Sequence, residues 1–316
     1  MIGTHTRARR LTWRPTFHVI LVVSMVQPLQ AQPETPPLSA ALEIYRAMGT
    51  EMLEREITSR LLDALPPKDR AAAGAVPVYV SAEHNPYRTG FEMRGDGRTI
   101  RISAGFLMAL DITNDATALA RRVGRYEELP GYAAELSYII RHQWWEKERR
   151  HLSPRMYSEY IGLPSDEAAI FRQSREYRTL RLEMMRQSLV WINAHYYAHL
   201  VVERRGSSKK PIEPSAAEGK VDALATDIAY SAGYSPMPPL ANIIFFASID
   251  HPGRDRLQTD WLCRATLVTK RGLEKGAPER RAERARSSKD NPGSLRAEVG
   301  EIDRLRENYK CSDQQS

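Results

Sequence analysis

The chain of 316 residues carries two cysteines, Cys263 and Cys311, and neither has the spacing of a metal-ligand pair. A cysteine-built zinc site is thereby excluded. One disulfide, which would staple the tail to the helix around Trp261, or two separate thiols are the readings left open. Long apolar runs are also lacking. Past residue 26 none approaches the ~20 residues that a spanning helix needs, so the body of the chain is expected to be free of transmembrane segments. No acid precedes Glu34, and no segment repeats.

What precedes Glu34 has a pattern of its own. Arg7, Arg9, Arg10 and Arg14 come first, then the apolar run of residues 19–26, then a small-residue site at Gln30-Ala31-Gln32. This is the order of a cleaved export signal. An uncleaved anchor is the alternative, but the apolar run falls well short of ~20 residues. Removing residues 1–31 takes away four arginines and lowers the formal charge from +7 to +3. A body so mildly basic gives no reason to expect nucleic acid as a partner. The mature chain is expected to be soluble and exported, periplasmic in a Gram-negative cell, and a membrane surface in the envelope stays open as a partner.

Residues 32–37 read as a proline-rich linker. Over residues 38–65, Leu42, Tyr45, Met48, Met52 and Ile57 recur near the helical period, up to Pro66-Pro67. Residues 76–80 and 89–93 read as strands. Gly95-Asp96-Gly97 is a tight turn, and residues 98–103 return as the second edge of a hairpin. A small antiparallel sheet is therefore expected, followed by a helix from Ala104. Residues 111–180 are mostly helical and densely charged. The aromatic and basic run from Trp144 to His151 is read as an amphipathic helix with a solvated face, in preference to a nucleic-acid or peptide groove.

The chemistry concentrates in Trp191-Ile192-Asn193-Ala194-His195-Tyr196-Tyr197-Ala198-His199. Two histidines four positions apart lie on one helix face, where both imidazoles can hold one metal ion. In the H-E-x-x-H motif of zinc peptidases a glutamate general base follows the first histidine; here that position is Tyr196. Past a flexible loop at residues 206–211 comes Glu218-Gly219-Lys220-Val221-Asp222, with both acids on one helix face. Two histidines and a glutamate leave a fourth position open on zinc. Asp222, one turn on, is placed to accept the second N–H of a ligand histidine and set its tautomer. Each pair alone is most simply a set of surface residues; in this order and spacing they point to a metal site.

Five landmarks in sequence order resemble the HtpX/CAAX-protease-type zinc metallopeptidases, a glutamate-ligand branch of the thermolysin-like zincins. The run Arg98-Thr99-Ile100-Arg101-Ile102-Ser103-Ala104-Gly105-Phe106-Leu107 is similar to that family's edge strand entering its "GLL" helix. His195 and His199 fall on the histidine ligands, and Glu218 with Asp222 on its E-x-x-x-D. Ala232-Gly233-Tyr234-Ser235-Pro236 resembles its "AGYDP" helix ending, and His251-Pro252 with Arg256 its "HP…R" segment near the active site. The resemblance covers roughly residues 76–262. It implies an α+β zincin fold, mostly helical, over residues 38–269, within which residues 111–180 read as a long helical insertion; beyond it, the residues themselves read as a charged tail at 270–316 that ends in a helix. It further implies one Zn2+ per chain on His195, His199 and Glu218, with Asp222 behind them. Tyr196 (at the general-base position), His251 and Arg256 would stand at the catalytic centre, and the partner would be a polypeptide substrate or client.

Two departures matter. A phenol has a reference pKa of about 10 against ~4 for glutamate, so Tyr196 is a poor base for the attacking water at neutral pH. Loss of a general base removes typically ~10²–10⁴-fold of rate. One further option is that the Tyr196 phenol occupies the open coordination position. The insertion is the second departure, since the family has a short connection there; it could serve as a lid, a partner surface or a plug. Three readings follow: a zinc-binding relative with weak or no proteolysis, an active peptidase using another base, and a metal-free envelope scaffold.

Overall fold

The computed structural model describes residues 38–95, 97–139, 155–205, 214–235 and 255–275. The leader, the proline-rich linker, Trp144-Trp145, the loop at 206–211, His251, Cys311 and the tail beyond 275 lie outside the described residues.

The chain enters through α1 (Leu38–Met52), which runs through a π-helical turn (Leu53–Ile57) into α2 (Thr58–Asp63). Leu53, Ile57, Leu61 and Leu65 are all buried at a strict four-residue interval. On an ideal α-helix that interval drifts by about 40° per step. A π turn advances less per residue, and it takes up part of that drift. Pro66 precedes α3 (Pro67–Gly74), where Pro67 begins the helix at a position whose N–H would have no partner.

The sheet departs from expectation. β1 (Val78–Ser81) pairs parallel to β3 (Gly97–Ser103), β2 (Gly90–Arg94) pairs antiparallel to β3, and the order is β1-β3-β2. The sheet is mixed, not antiparallel, and the returning strand of the hairpin is its centre, not its edge. The reason is burial. Ile100 and Ile102 on β3 are wholly buried, while Met93 on β2 is 68% exposed. The most apolar strand takes the middle, and two chain reversals then leave β1 and β3 pointing the same way.

Ser103 ends β3 and caps α4 (Ala104–Val123), its Oγ accepting from the Phe106 amide at 3.1 Å. Gly124, at φ 72°, closes that helix in the left-handed conformation that glycine adopts without strain. Ser103→Ala should lower stability by about 1 kcal/mol in equilibrium denaturation, the usual cost of losing a cap. An unchanged midpoint would show that the cap contributes nothing.

The spine is α8 (Arg175–Arg205), 31 residues and about 46 Å long. It buries Leu189, Val190, Ile192, Ala194, Tyr197 and Val201 in a core shared with α4, the sheet, the entry helices and α9 (Pro214–Ser231). A smaller core joins α4 to α5 (Leu129–Ile139), α6 (Tyr157–Tyr160) and α7 (Ser165–Gln173), with Leu119, Tyr132 and Tyr157 at its centre. Residue 111 lies inside α4 and residue 180 inside α8, so the stretch 111–180 contains extensions of both helices and has no loop at either edge. Buried acids hold these extensions together. Asp111 accepts from Tyr45 and Arg181, and Asp115 from Arg172 and Tyr177. The last described helix is α10 (Asp255–Lys275). Its buried Cys263 is disulfide-bonded.

Candidate metal centre

α8 and α9 lie side by side, and the paired side chains of each face one another. His195 Nε2 and His199 Nε2 stand 3.1 Å apart. Glu218 brings Oε1 to 3.4 Å from His199 Nε2 and Oε2 to 3.7 Å from His195 Nε2. Tetrahedral zinc with bonds of about 2.0–2.1 Å places its ligand atoms about 3.3 Å from one another. The separation of the two imidazoles and the approach of one Glu218 oxygen to each of them bracket that value. His195, His199 and Glu218 form a group able to hold a metal ion, with one donor atom from each within 4.8 Å of the others.

Protonation favours the same outcome. Asp222 is 1% exposed and its Oδ1 lies 3.1 Å from His195 Nδ1. Burial alone would raise its pKa. The charge of Arg264, with hydrogen bonds from His195 and Arg264, outweighs burial and holds the carboxyl below its ordinary value. An ionised carboxylate only accepts, so Nδ1 carries a proton, and the other ring nitrogen, Nε2, is the one that faces His199 and Glu218. That is the tautomer a metal needs. Burial and the neighbouring His195 likewise hold His199 below its ordinary value, which keeps it neutral and able to ligate. Trp191 stacks on His195, with centroids 5.4 Å apart, and restricts the ring's orientation.

Arg264 has no place in the sequence-level reading. From α10 its Nε donates to Asp222 Oδ2 at 2.6 Å, and its Nη2 donates to Asp222 Oδ1 at 3.0 Å and to Glu218 Oε2 at 2.9 Å. One guanidinium therefore ties the ligand carboxylate to the carboxylate that orients the ligand imidazole. It leaves Glu218 Oε1 as the oxygen nearer His199. The signal was present in Trp261-Leu262-Cys263-Arg264-Ala265, because a cation inside an apolar run must find a buried anion. Arg256, singled out instead, lies two turns earlier on α10; its side chain lies outside the described residues, as does His251.

Tyr196 points to the sheet. Its ring meets Phe91 of β2 edge-on at 5.3 Å, and Phe91 also meets His199 at 6.1 Å. Arg98 lies 3.7 Å from the Phe91 centroid and donates to Glu203 on α8, fastening sheet to helix. The Tyr196 hydroxyl lies 3.8 Å from where a side chain on Gly90 would begin, and among the described residues it makes no hydrogen bond to His195, His199 or Glu218. Burial, then the charge of Glu218, push its pKa up from the ordinary value, so the phenol stays neutral. It is a donor and not a base. Glu218, Glu203 and Asp222 are carboxylates whose charge acts on His199.

The chain is thus a mostly helical α+β protein with a small mixed sheet and a candidate metal centre between two of its helices. No protein-family model, curated protein or solved structure matches it.

Proposed function

We propose that this chain is an exported, periplasmic zinc-binding relative of the HtpX/CAAX-protease-type metallopeptidases, with a zincin-like domain, whose proteolytic activity is weak or absent. The observation that carries this reading is the convergence of His195, His199 and Glu218 at tetrahedral spacing, with Asp222 fixing the tautomer of His195. The donor set of two imidazoles and one carboxylate suits zinc. Zinc held there would act as a Lewis acid toward a peptide carbonyl.

The protein's own groups bring little of the proton transfer that hydrolysis also requires. Tyr196 stands where a base is needed and stays protonated. Glu203, a further acid near His199, is tied to Arg98 at 2.6 and 3.2 Å. A site that holds a metal and, among the described residues, offers no free base fits a protein that binds a polypeptide client more than one that cleaves it. The arginine-led apolar segment before residue 31 supports export, and so does a disulfide at Cys263. Among the described residues no helix is long and apolar enough to cross a membrane.

The test combines zinc stoichiometry with a casein assay. Purified protein should carry one equivalent of zinc, and His195→Ala should carry none. Wild type should show little chelator-sensitive cleavage, and Tyr196→Glu should raise it by about 10²-fold or more, the scale of a restored general base. Zinc-free wild type would sink the metal reading. Robust chelator-sensitive cleavage that Tyr196→Glu abolishes would establish an active peptidase using its own tyrosine.

A further inference from the structure

Away from the metal centre, a concave groove of about 740 Å³ lies between the C-terminal end of α4, the end of α7 and the start of α8. Ala118, Phe171 and Leu180 contribute its apolar lining, and Arg121, Arg122 and Arg175 its charge. These three arginines are exposed, and among the described residues none pairs with a carboxylate. Their neighbours behave differently: Arg172 is bound to Asp115 and Arg181 to Asp111. Of the acids at the groove, Glu183 is already bonded to Arg186 and Gln187, which leaves Glu176 as the one acid there with no such bond.

Helix stability explains part of this arrangement and not the rest. Arg121 and Arg122 occupy the last turn of α4, where a cation is favoured by the helix dipole. Arg175 is the first residue of α8, where the same dipole disfavours a cation. Its charge adds to the positive end of a 31-residue helix and raises the potential on that side of the groove. Arg122 also stands 5.9 Å from the centroid of Phe171, so charge and aromatic surface adjoin.

We infer that this groove docks an acidic polypeptide segment, whose carboxylates pair with Arg121, Arg122 and Arg175 while its apolar side chains cover Phe171 and Leu180. A polypeptide offers both kinds of group a few residues apart, matching the mixed lining. A bilayer surface meets protruding residues and would not reach into a concavity between helices. The site is separate from the metal centre and its occupancy does not depend on a bound metal.

The probe is a dye-labelled heptapeptide alternating glutamate and leucine, followed by fluorescence anisotropy on the full-length protein. Saturable binding that weakens with salt is expected, unchanged by EDTA, with a lysine–leucine heptapeptide showing none. Arg121→Glu with Arg175→Glu should weaken binding at least tenfold, and Lys68→Glu on the distant α3 should not change it. Circular dichroism checks that each variant folds; should the reversals not fold, Arg121→Gln and Arg175→Gln take their place, each expected to cost about tenfold. Absence of saturable binding, binding that ignores these arginines, or binding abolished by EDTA would overturn the proposal. So would phosphatidylglycerol vesicles binding with the same arginine dependence while the peptide does not bind. Failure of the zinc assay leaves this result untouched, and the reverse also holds.

Discussion

Replacing Asp222 with alanine should lower the stability of the metal-free protein by about 3–5 kcal/mol and weaken zinc binding by about 10–100-fold. The first effect comes from Arg264. Its guanidinium is 10% exposed and makes two of its three described carboxylate bonds to Asp222. Without them the buried cation loses its fully buried partner but keeps its bond to Glu218 and its other contacts, which puts the loss toward the lower end of that range. The second effect comes from His195, whose Nδ1 proton would have no fixed acceptor and whose ring could then present the wrong nitrogen to the metal. Adding Arg264→Met to Asp222→Ala should recover most of the stability and none of the zinc affinity, since it removes the buried charge that Asp222 balanced and leaves the imidazole unguided. Denaturation in EDTA and competition with a chromophoric chelator read the two quantities separately. Equal recovery of both in the double variant would mean that Asp222 only balances Arg264.

The pH dependence has a definite sign. Asp222 is held below its ordinary pKa in the folded protein. Its contribution to stability is therefore complete above the ordinary carboxylate range and is lost as pH falls through the lower folded value. The stability gap between metal-free wild type and Asp222→Ala should be widest near neutrality and close in acid.

Gly105→Ala is expected to do more damage to the fold than any other single methyl group added near the sheet. A Cβ there would lie 1.8 Å from the His84 carbonyl oxygen, 2.4 Å from its carbon and 3.0 Å from its Cα. All three are backbone atoms, so no rotamer change relieves the contact. Retreat would break the Gly105 amide bond to the Glu83 carbonyl, 3.0 Å long, which fastens the chain leaving β1 to the start of α4. The cost should reach about 3 kcal/mol or exceed it, at or above the upper part of the overpacking range. Gly49→Ala is the comparison. Its Cβ would meet the tip of Leu107 at 2.6 Å, a side chain that can turn aside, and about 1 kcal/mol is expected. Thermal melts and soluble yield of the two variants decide the matter. If Gly105→Ala melts with wild type, the packing of residues 83–84 on α4 is not as described.

Much of the site was legible because it depends on spacing within single helices. His195 and His199 share a face of α8, and Glu218 and Asp222 share a face of α9, by helical period alone. The break at Pro66-Pro67, the helix start at Ala104 and the strand nature of residues 98–103 follow from equally local chemistry. Tyr196 was legible as the wrong residue for a base. Its surroundings were not, since Phe91 and Gly90 reach it from a strand more than 100 positions away.

Local order could not reveal which strand is central. A hairpin preceded by a strand reads as an antiparallel meander, and only the competition for buried positions puts Ile100 and Ile102 in the middle. Nor could it reveal which carboxylates Arg264 meets, one of them 46 residues away at Glu218, or the pairing of Asp111 and Asp115 with arginines of α7 and α8. Residues a few positions apart are held by covalent geometry and a repeating turn, so their chemistry can be read in one dimension. The partners of a buried charge are chosen by how helices and strands close around it, and that choice exists only once the chain has folded.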